Sequence, residues 1–372
     1  MKIETTTVRA GGEIDTSTGA IAPPLHLSTT FEHSPEGVGV RGFLYIREEN
    51  PIQSRLETAL GELEGGTSAV VFASGMAAAS AVLQTIPSGS HVLFCDDLYH
   101  AIRSVARDFL PRWGIESTFA DFTDPGRLRD SVRPNTRLLW AETPSNPLLK
   151  ISDIRAISEI ALAAGARLLV DNTFATPILQ RPLSLGADLV LHSTTKYCGG
   201  HSDVQGGCVV SKGRDSIDPL LQVRHLLGGV GSPFNSWLVL RGLRTLSVRM
   251  ERHSANAAAV AAALTSLPRV EAVCYPGLAS DPGHEIARRQ MTGFGGMVSF
   301  RVRGGRGPAL EVASRLRLFV NATSLGGVES LVEHRASTEG DASTSPQNLL
   351  RLSIGLEHPD DLIDDLRHAL TP

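Results

Sequence analysis

The feature that most constrains this chain is an alternation. Between residues 47 and 232, short apolar runs and helix-like stretches take turns. The apolar runs lie at 69–73, 91–95, 137–140, 167–170 and 187–191, and the helix-like stretches at 75–85, 100–110 and 151–164. A strand buried on both faces reads as a continuous apolar run, and strands separated by helices pair in parallel through crossovers. The pattern therefore predicts an α/β fold around a mostly parallel central sheet. Ligands of such open sheets bind beyond the carboxyl ends of the strands. The polar residues that follow each apolar run are thus the first candidates for chemistry.

The flanks read differently. Residues 1–46 carry many Thr, Gly and Pro with weak periodicity and are expected to form an extended arm rather than a domain. Residues 47–232 form the sheet domain. Ser232-Pro233 then opens a proline-free stretch to about Ser266. Serine at an N-cap and proline at the first helical position predict a helix start, and one long helix is expected to lead into a smaller α/β unit, 233–372. That unit is expected to hold strands at 297–302 and 350–354 and a final helix at 360–370.

Composition excludes several classes. The formal charge is −4, with 42% hydrophobic and 20% charged residues and no block of basic charge, so neither nucleic acid nor an anionic membrane is an expected partner. The first ten residues are polar, and no apolar run reaches the roughly 18 residues of a membrane span. A cytoplasmic location is the expectation. Cys95, Cys198, Cys208 and Cys274 form no C-x-x-C pair, so no metal site is expected.

The strand ends carry the candidates. The run 167–170 leads into Asp171, and the run 187–191 into His192-Ser193-Thr194-Thr195-Lys196. Alone, each would be a loop acid and a surface lysine. Together, one helix-and-strand unit apart, they place a carboxylate and an amine at one sheet edge. Pyridoxal phosphate (PLP) chemistry needs that pair, a lysine for the imine and an acid on the ring nitrogen. Ser74-Gly75-Met76-Ala77 is a strand-to-helix turn suited to a phosphate, because a helix N-terminus offers free N–H groups and glycine admits close approach. Ser193 and Thr195 offer further hydroxyls. Tyr99 follows the run 91–95 and is a candidate to stack on a ring. Asn146, between two prolines, is a candidate to meet a ring hydroxyl or a substrate carboxylate. Arg351 lies in an alternating strand pattern and suits a carboxylate.

The ordered set resembles the cystathionine γ-synthase/γ-lyase family of PLP enzymes, which includes methionine γ-lyase. The resemblance runs from about Thr7 to the last helix. It is strongest in VDNTFATP (170–177), HSTTKYCGGHSDV (192–204), ETPSNPLL (142–149), FASGMAA (72–78), SLGGVESL (324–331) and RLSIGLE (351–357). It implies the aminotransferase-like fold of PLP enzymes called fold type I, with Lys196 holding the cofactor and shuttling protons. Asp171 would pair with the ring nitrogen, Tyr99 would stack, and Asn146 would contact the ring hydroxyl. Gly75, Met76, Ser193 and Thr195 would hold the phosphate. Tyr45 and Arg47 would reach a neighbouring subunit's site, which implies a homotetramer of dimers with shared active sites. Ser324, Arg351, Asn146 and Tyr45 would bind the amino-acid substrate.

The implied activity is γ-elimination from cystathionine or methionine, giving a thiol, ammonia and 2-oxobutanoate. The alternatives are γ-replacement on an O-acylhomoserine and, from another class, a PLP-binding protein without turnover. The chain departs from the family pattern in its substrate region. Thr323 stands where many cystathionine-using members carry glutamate. After Glu333-His334 the chain reads Arg335-Ala336-Ser337-Thr338-Glu339-Gly340.

Overall fold

The computed structural model describes residues 1–371. β1 (Ser68–Phe72), β2 (His91–Cys95), β3 (Glu116–Ala120), β4 (Thr136–Glu142), β5 (Arg167–Asp171), β6 (Leu189–His192) and β7 (Gly207–Ser211) form a seven-stranded sheet. Its order is β1-β7-β6-β5-β4-β2-β3. β7 runs antiparallel to both neighbours, and the other pairs are parallel. β8 (Val270–Cys274), β9 (Met297–Val302), β10 (Val320–Asn321), β11 (Leu331–Glu333) and β12 (Leu349–Ser353) form a second, five-stranded and mostly antiparallel sheet.

The apolar runs are where the core is. Val92, Leu93, Phe94, Leu138, Leu139, Trp140, Leu168, Leu169 and Val170 are fully buried, because helices cover both faces of the sheet. Burying each such side chain stabilises the fold by about 1.5–3 kcal/mol. The helices start where the sequence supplies caps. Ser74 Oγ accepts from Ala77 N at 3.0 Å at the head of helix Gly75–Gln84, and Asp153 caps Ile154–Ala163.

Three expectations need correction. The expected single helix after Ser232 is two, Pro233–Leu243 and Leu246–Thr265. At the break, the Gly242 carbonyl accepts from Arg249 Nη2 at 2.7 Å, while Arg249 Nη1 holds the Tyr197 carbonyl at 2.7 Å. The guanidinium ties the end of one helix to the loop after Lys196, and the chain turns there. Ser232 occupies the N-cap position, yet its side chain makes no capping bond. Two strands, β3 and β7, were not anticipated.

The first 46 residues are largely irregular, with one short helix, Ile3–Val8, and isolated bridges at Thr30–Tyr45 and His33–Gly39. Among the described residues no helix is long and apolar enough to cross a membrane.

Candidate active site

Successive strand ends of the large sheet open onto one cavity of about 240 Å³. Ten residues singled out in the sequence line it: Gly75, Met76, Tyr99, Asn146, Asp171, Ser193, Thr195, Lys196, Ser324 and Arg351. β5 delivers Asp171 and the turn after β6 delivers Ser193, Thr195 and Lys196. Ser324 and Arg351 come from the region of the second sheet, so the cavity lies where the two sheets' loops meet.

Lys196 Nζ donates to Ser324 Oγ at 2.7 Å. Burial, reinforced by the positive charge of Arg351, lowers its pKa to about 8. Ser324 itself has a φ of 97°, a conformation that costs a non-glycine residue about 1–3 kcal/mol and often marks a functional clamp. Its carbonyl accepts from Arg351 Nη2 at 3.1 Å, and Arg351 Nη1 donates to Asn146 Oδ1 at 2.8 Å. Arg351 also pairs with Glu333. Burial brings the Arg351 pKa down to about 10, with Glu333 opposing that shift. These bonds fix the guanidinium from behind and form a continuous chain from lysine to arginine.

At the other end, the Gly75 and Met76 N–H groups stand at the first turn of helix Gly75–Gln84, beyond the reach of the Ser74 cap. A Cβ at Gly75 would sit 2.8 Å from Ser193 Cβ, so the backbone approaches the Ser193 turn as only glycine allows. Asp171 is half-buried at the end of β5, and its Oδ1 accepts from Thr173 N at 3.0 Å. Burial raises its pKa despite those bonds and the influence of His192. A partly desolvated carboxylate of this kind suits a cationic partner.

These residues fit PLP. The helix head suits the phosphate, Lys196 the aldehyde, Asp171 the protonated ring nitrogen, and Tyr99, 42% exposed at the cavity, the ring face.

Tyr45 and Arg47 do not reach this cavity within the chain. Tyr45 is 41% exposed, and Arg47 Nη1 donates to the His225 carbonyl at 2.8 Å.

Sequence reasoning missed Glu142, Thr173 and Gln205, which also line the cavity, as do Thr323 and Arg335 from the departures noted in the substrate region. Glu142 pairs in register with Asp171 on the adjacent strand, and its Oε2 accepts from Tyr99 N at 2.8 Å. Burial, then the charge of Asp171, drives its pKa well up. The equal position of Glu142 and Asp171 at neighbouring strand ends was the available signal. Arg335 was visible as a departure from the family pattern, but its segment alone assigns it no role.

Fold and site together define a PLP-dependent enzyme. The family described as Cys/Met metabolism PLP-dependent enzyme matches residues 4–371, and the chain belongs to it. The chain is 47% identical to cystathionine γ-synthase of Mycobacterium tuberculosis strain H37Rv over 98% of its length and 96% of that protein's. It is 42% identical to cystathionine γ-lyase of Bacillus subtilis strain 168, over 100% and 99% of the two lengths. The structure of cystathionine γ-synthase from Xanthomonas oryzae pv. oryzae in complex with cystathionine superposes with a TM-score of 0.96, at 43% identity, covering 100% of this chain and 98% of that one.

Proposed function

We propose that the chain breaks carbon–sulfur or carbon–oxygen bonds at the γ-carbon of a four-carbon 2-aminobutanoate unit, first by γ-elimination from cystathionine or methionine. The observation that carries this reading is the bonded chain Lys196–Ser324–Arg351–Asn146 along one cavity wall.

Arg351 takes the substrate carboxylate as a fork, and Ser324 and Asn146 keep it oriented. That places the α-carbon beside Lys196 Nζ. Bound PLP supplies the electron sink that makes the α-proton removable. The pKa of about 8 leaves part of Lys196 neutral near neutral pH, so its amine takes the α-proton and can return it elsewhere. Once Lys196 has given up the α-proton, its neutral amine takes a proton from the β-carbon, and the γ-substituent departs with its electron pair, receiving a proton from the Tyr99 hydroxyl when it is a thiolate. Asp171 would pair with the ring nitrogen and keep it charged.

A second reading, γ-replacement on an O-acylhomoserine, shares each residue's role until a thiol adds at the γ-carbon. The 47% identity to a cystathionine γ-synthase favours it. Tyr45 and Arg47, exposed and outside their own cavity, suit reaching a neighbouring copy's phosphate in a homotetramer of dimers. The location we propose is cytoplasmic.

The test is a substrate panel on the PLP-loaded chain: L-methionine, L-cystathionine, and an O-acylhomoserine with cysteine, reading 2-oxobutanoate and cystathionine. Release of 2-oxobutanoate from a thioether supports elimination, and cystathionine formation supports replacement. A chain that retains PLP yet turns over none of them refutes both.

A further inference from the structure

If the site works at the γ-carbon, one wall residue bears on which γ-substituent it accepts. Arg335 opens helix Arg335–Glu339 directly after β11, is 4% exposed, and lines the same cavity as Lys196 and Arg351. A guanidinium has five N–H donors. Arg335 Nη2 donates to Glu339 Oε1 at 2.7 Å, Nη1 lies 3.2 Å from Glu333 Oε2, and Nε is buried with no partner among the described residues. The two glutamates are themselves buried and already engaged. Glu333 Oε1 accepts the Thr323 hydroxyl at 2.8 Å, and Glu339 Oε2 accepts those of Ser343 and Ser345 at 2.6 and 2.8 Å. Neither glutamate is among the residues lining the cavity. The wall therefore presents a cation with unused donors, its counter-charges held behind it.

Three consequences follow from this charge arrangement. A γ-substituent ending in an ammonium meets a like charge at Arg335, while the two carboxylates that line the cavity serve other partners, Glu142 the Tyr99 N–H at 2.8 Å and Asp171 the ring nitrogen. Arg335 and Arg351 are already paired with Glu333 and Glu339, and Glu142 and Asp171 also line the cavity, so a second substrate anion beside the α-carboxylate finds little unpaired positive charge. A neutral oxygen acceptor, in contrast, finds a donor.

We propose that Arg335 is a specificity-determining residue that donates to the acyl oxygen of an ester at the γ-carbon. The site then takes homoserine carrying a short neutral acyl group ahead of cystathionine. The proposal rests on the γ-carbon reading. In the step concerned, the β-carbon proton passes to Lys196, the pair left behind forms the β,γ double bond, and the γ carbon–oxygen bond breaks with its pair going to the oxygen. The acyl group leaves as a carboxylate, whose growing negative charge faces Arg335.

The test uses the PLP-loaded wild type with Arg335→Met and Arg335→Lys, the lysine keeping the charge should the methionine variant fail to fold. Release of 2-oxobutanoate is measured from O-acetyl-L-homoserine, L-cystathionine and L-vinylglycine, the last having no γ-substituent to lose. Cofactor absorbance and thermal melting report on folding. The expected result is a fall in kcat/KM for O-acetylhomoserine of about tenfold or more, the size of one lost charge-assisted hydrogen bond, with vinylglycine within about twofold of wild type. Equal losses on both, or a loss on neither, overturn the proposal, as does a wild type that prefers cystathionine to O-acetylhomoserine. A wild type inert with all three overturns the γ-carbon reading and this proposal with it.

Discussion

Replacing Arg351 with lysine isolates what the guanidinium fork does. In the chain, Nη1 reaches Asn146 Oδ1 at 2.8 Å and Nη2 reaches the Ser324 carbonyl at 3.1 Å, while the same group pairs with Glu333. A lysine ammonium is a point charge on a flexible stem. It keeps the attraction to Glu333 but cannot hold Asn146, Ser324 and a substrate carboxylate in one plane. The substrate then loses about one charge-assisted hydrogen bond, worth about 1.5–3 kcal/mol. At about 1.4 kcal/mol per tenfold, kcat/KM falls roughly 10- to 150-fold. The carboxylate is held equally in the ground state and the transition state, so the loss falls on KM. Steady-state kinetics on the best substrate of the panel, with cofactor absorbance recorded for each preparation, measures it. A KM within about twofold of wild type in a properly loaded variant would refute the assignment of Arg351 to the carboxylate, and so would a loss confined to kcat.

Other expectations are narrower. Gly75→Ala pushes a methyl to 2.8 Å from Ser193 Cβ, so PLP affinity, read by absorbance titration of the cofactor-free chain, falls about tenfold; unchanged affinity argues against the helix head as the phosphate seat. Because burial and Arg351 lower the Lys196 pKa to about 8, imine formation by the cofactor-free chain rises with pH around that value, and a midpoint near that of an ordinary lysine contradicts the buried setting. The same shift has a sign for stability: the folded chain binds the Lys196 proton less tightly than the unfolded one. Stability of the cofactor-free chain therefore gains from about pH 8 up to the ordinary lysine value of 10.5, a gain that Lys196→Met removes in urea titrations. Mixing refolded Arg47→Ala and Lys196→Ala chains, each inactive alone, restores activity if Arg47 serves a neighbour's site; no recovery in mixed oligomers speaks against sharing.

Much of this was legible in the sequence, for a physical reason. Strands buried on both faces need apolar residues nearly throughout, so His91–Cys95 was found to the residue, and Met297–Val302 was too, although it carries Ser299 and a half-buried Arg301. The polar groups just beyond such strands had no core to serve, which exposed Asp171 and Lys196 as candidates. β3 escaped because it is an edge strand, Glu116–Ala120, with mixed polarity and partial burial. β7 escaped because Gly207–Ser211 is short, with a glycine at one end and a serine at the other. The break at Arg244-Thr245 and the place of Arg335 both depend on contacts between distant segments, Arg249 with Tyr197 in one case and the cavity wall in the other. No local pattern encodes such meetings.

The central claim is that Lys196 carries the cofactor. The chain has four lysines, Lys2, Lys150, Lys196 and Lys212, so the measurement is unambiguous. The PLP-loaded protein is reduced with borohydride, digested, and the labelled peptide identified by mass spectrometry. The account predicts one label, on Lys196, and none in Lys196→Ala. A label on Lys150, which is paired with Asp96 at 2.8 Å, or none on any lysine, would contradict it.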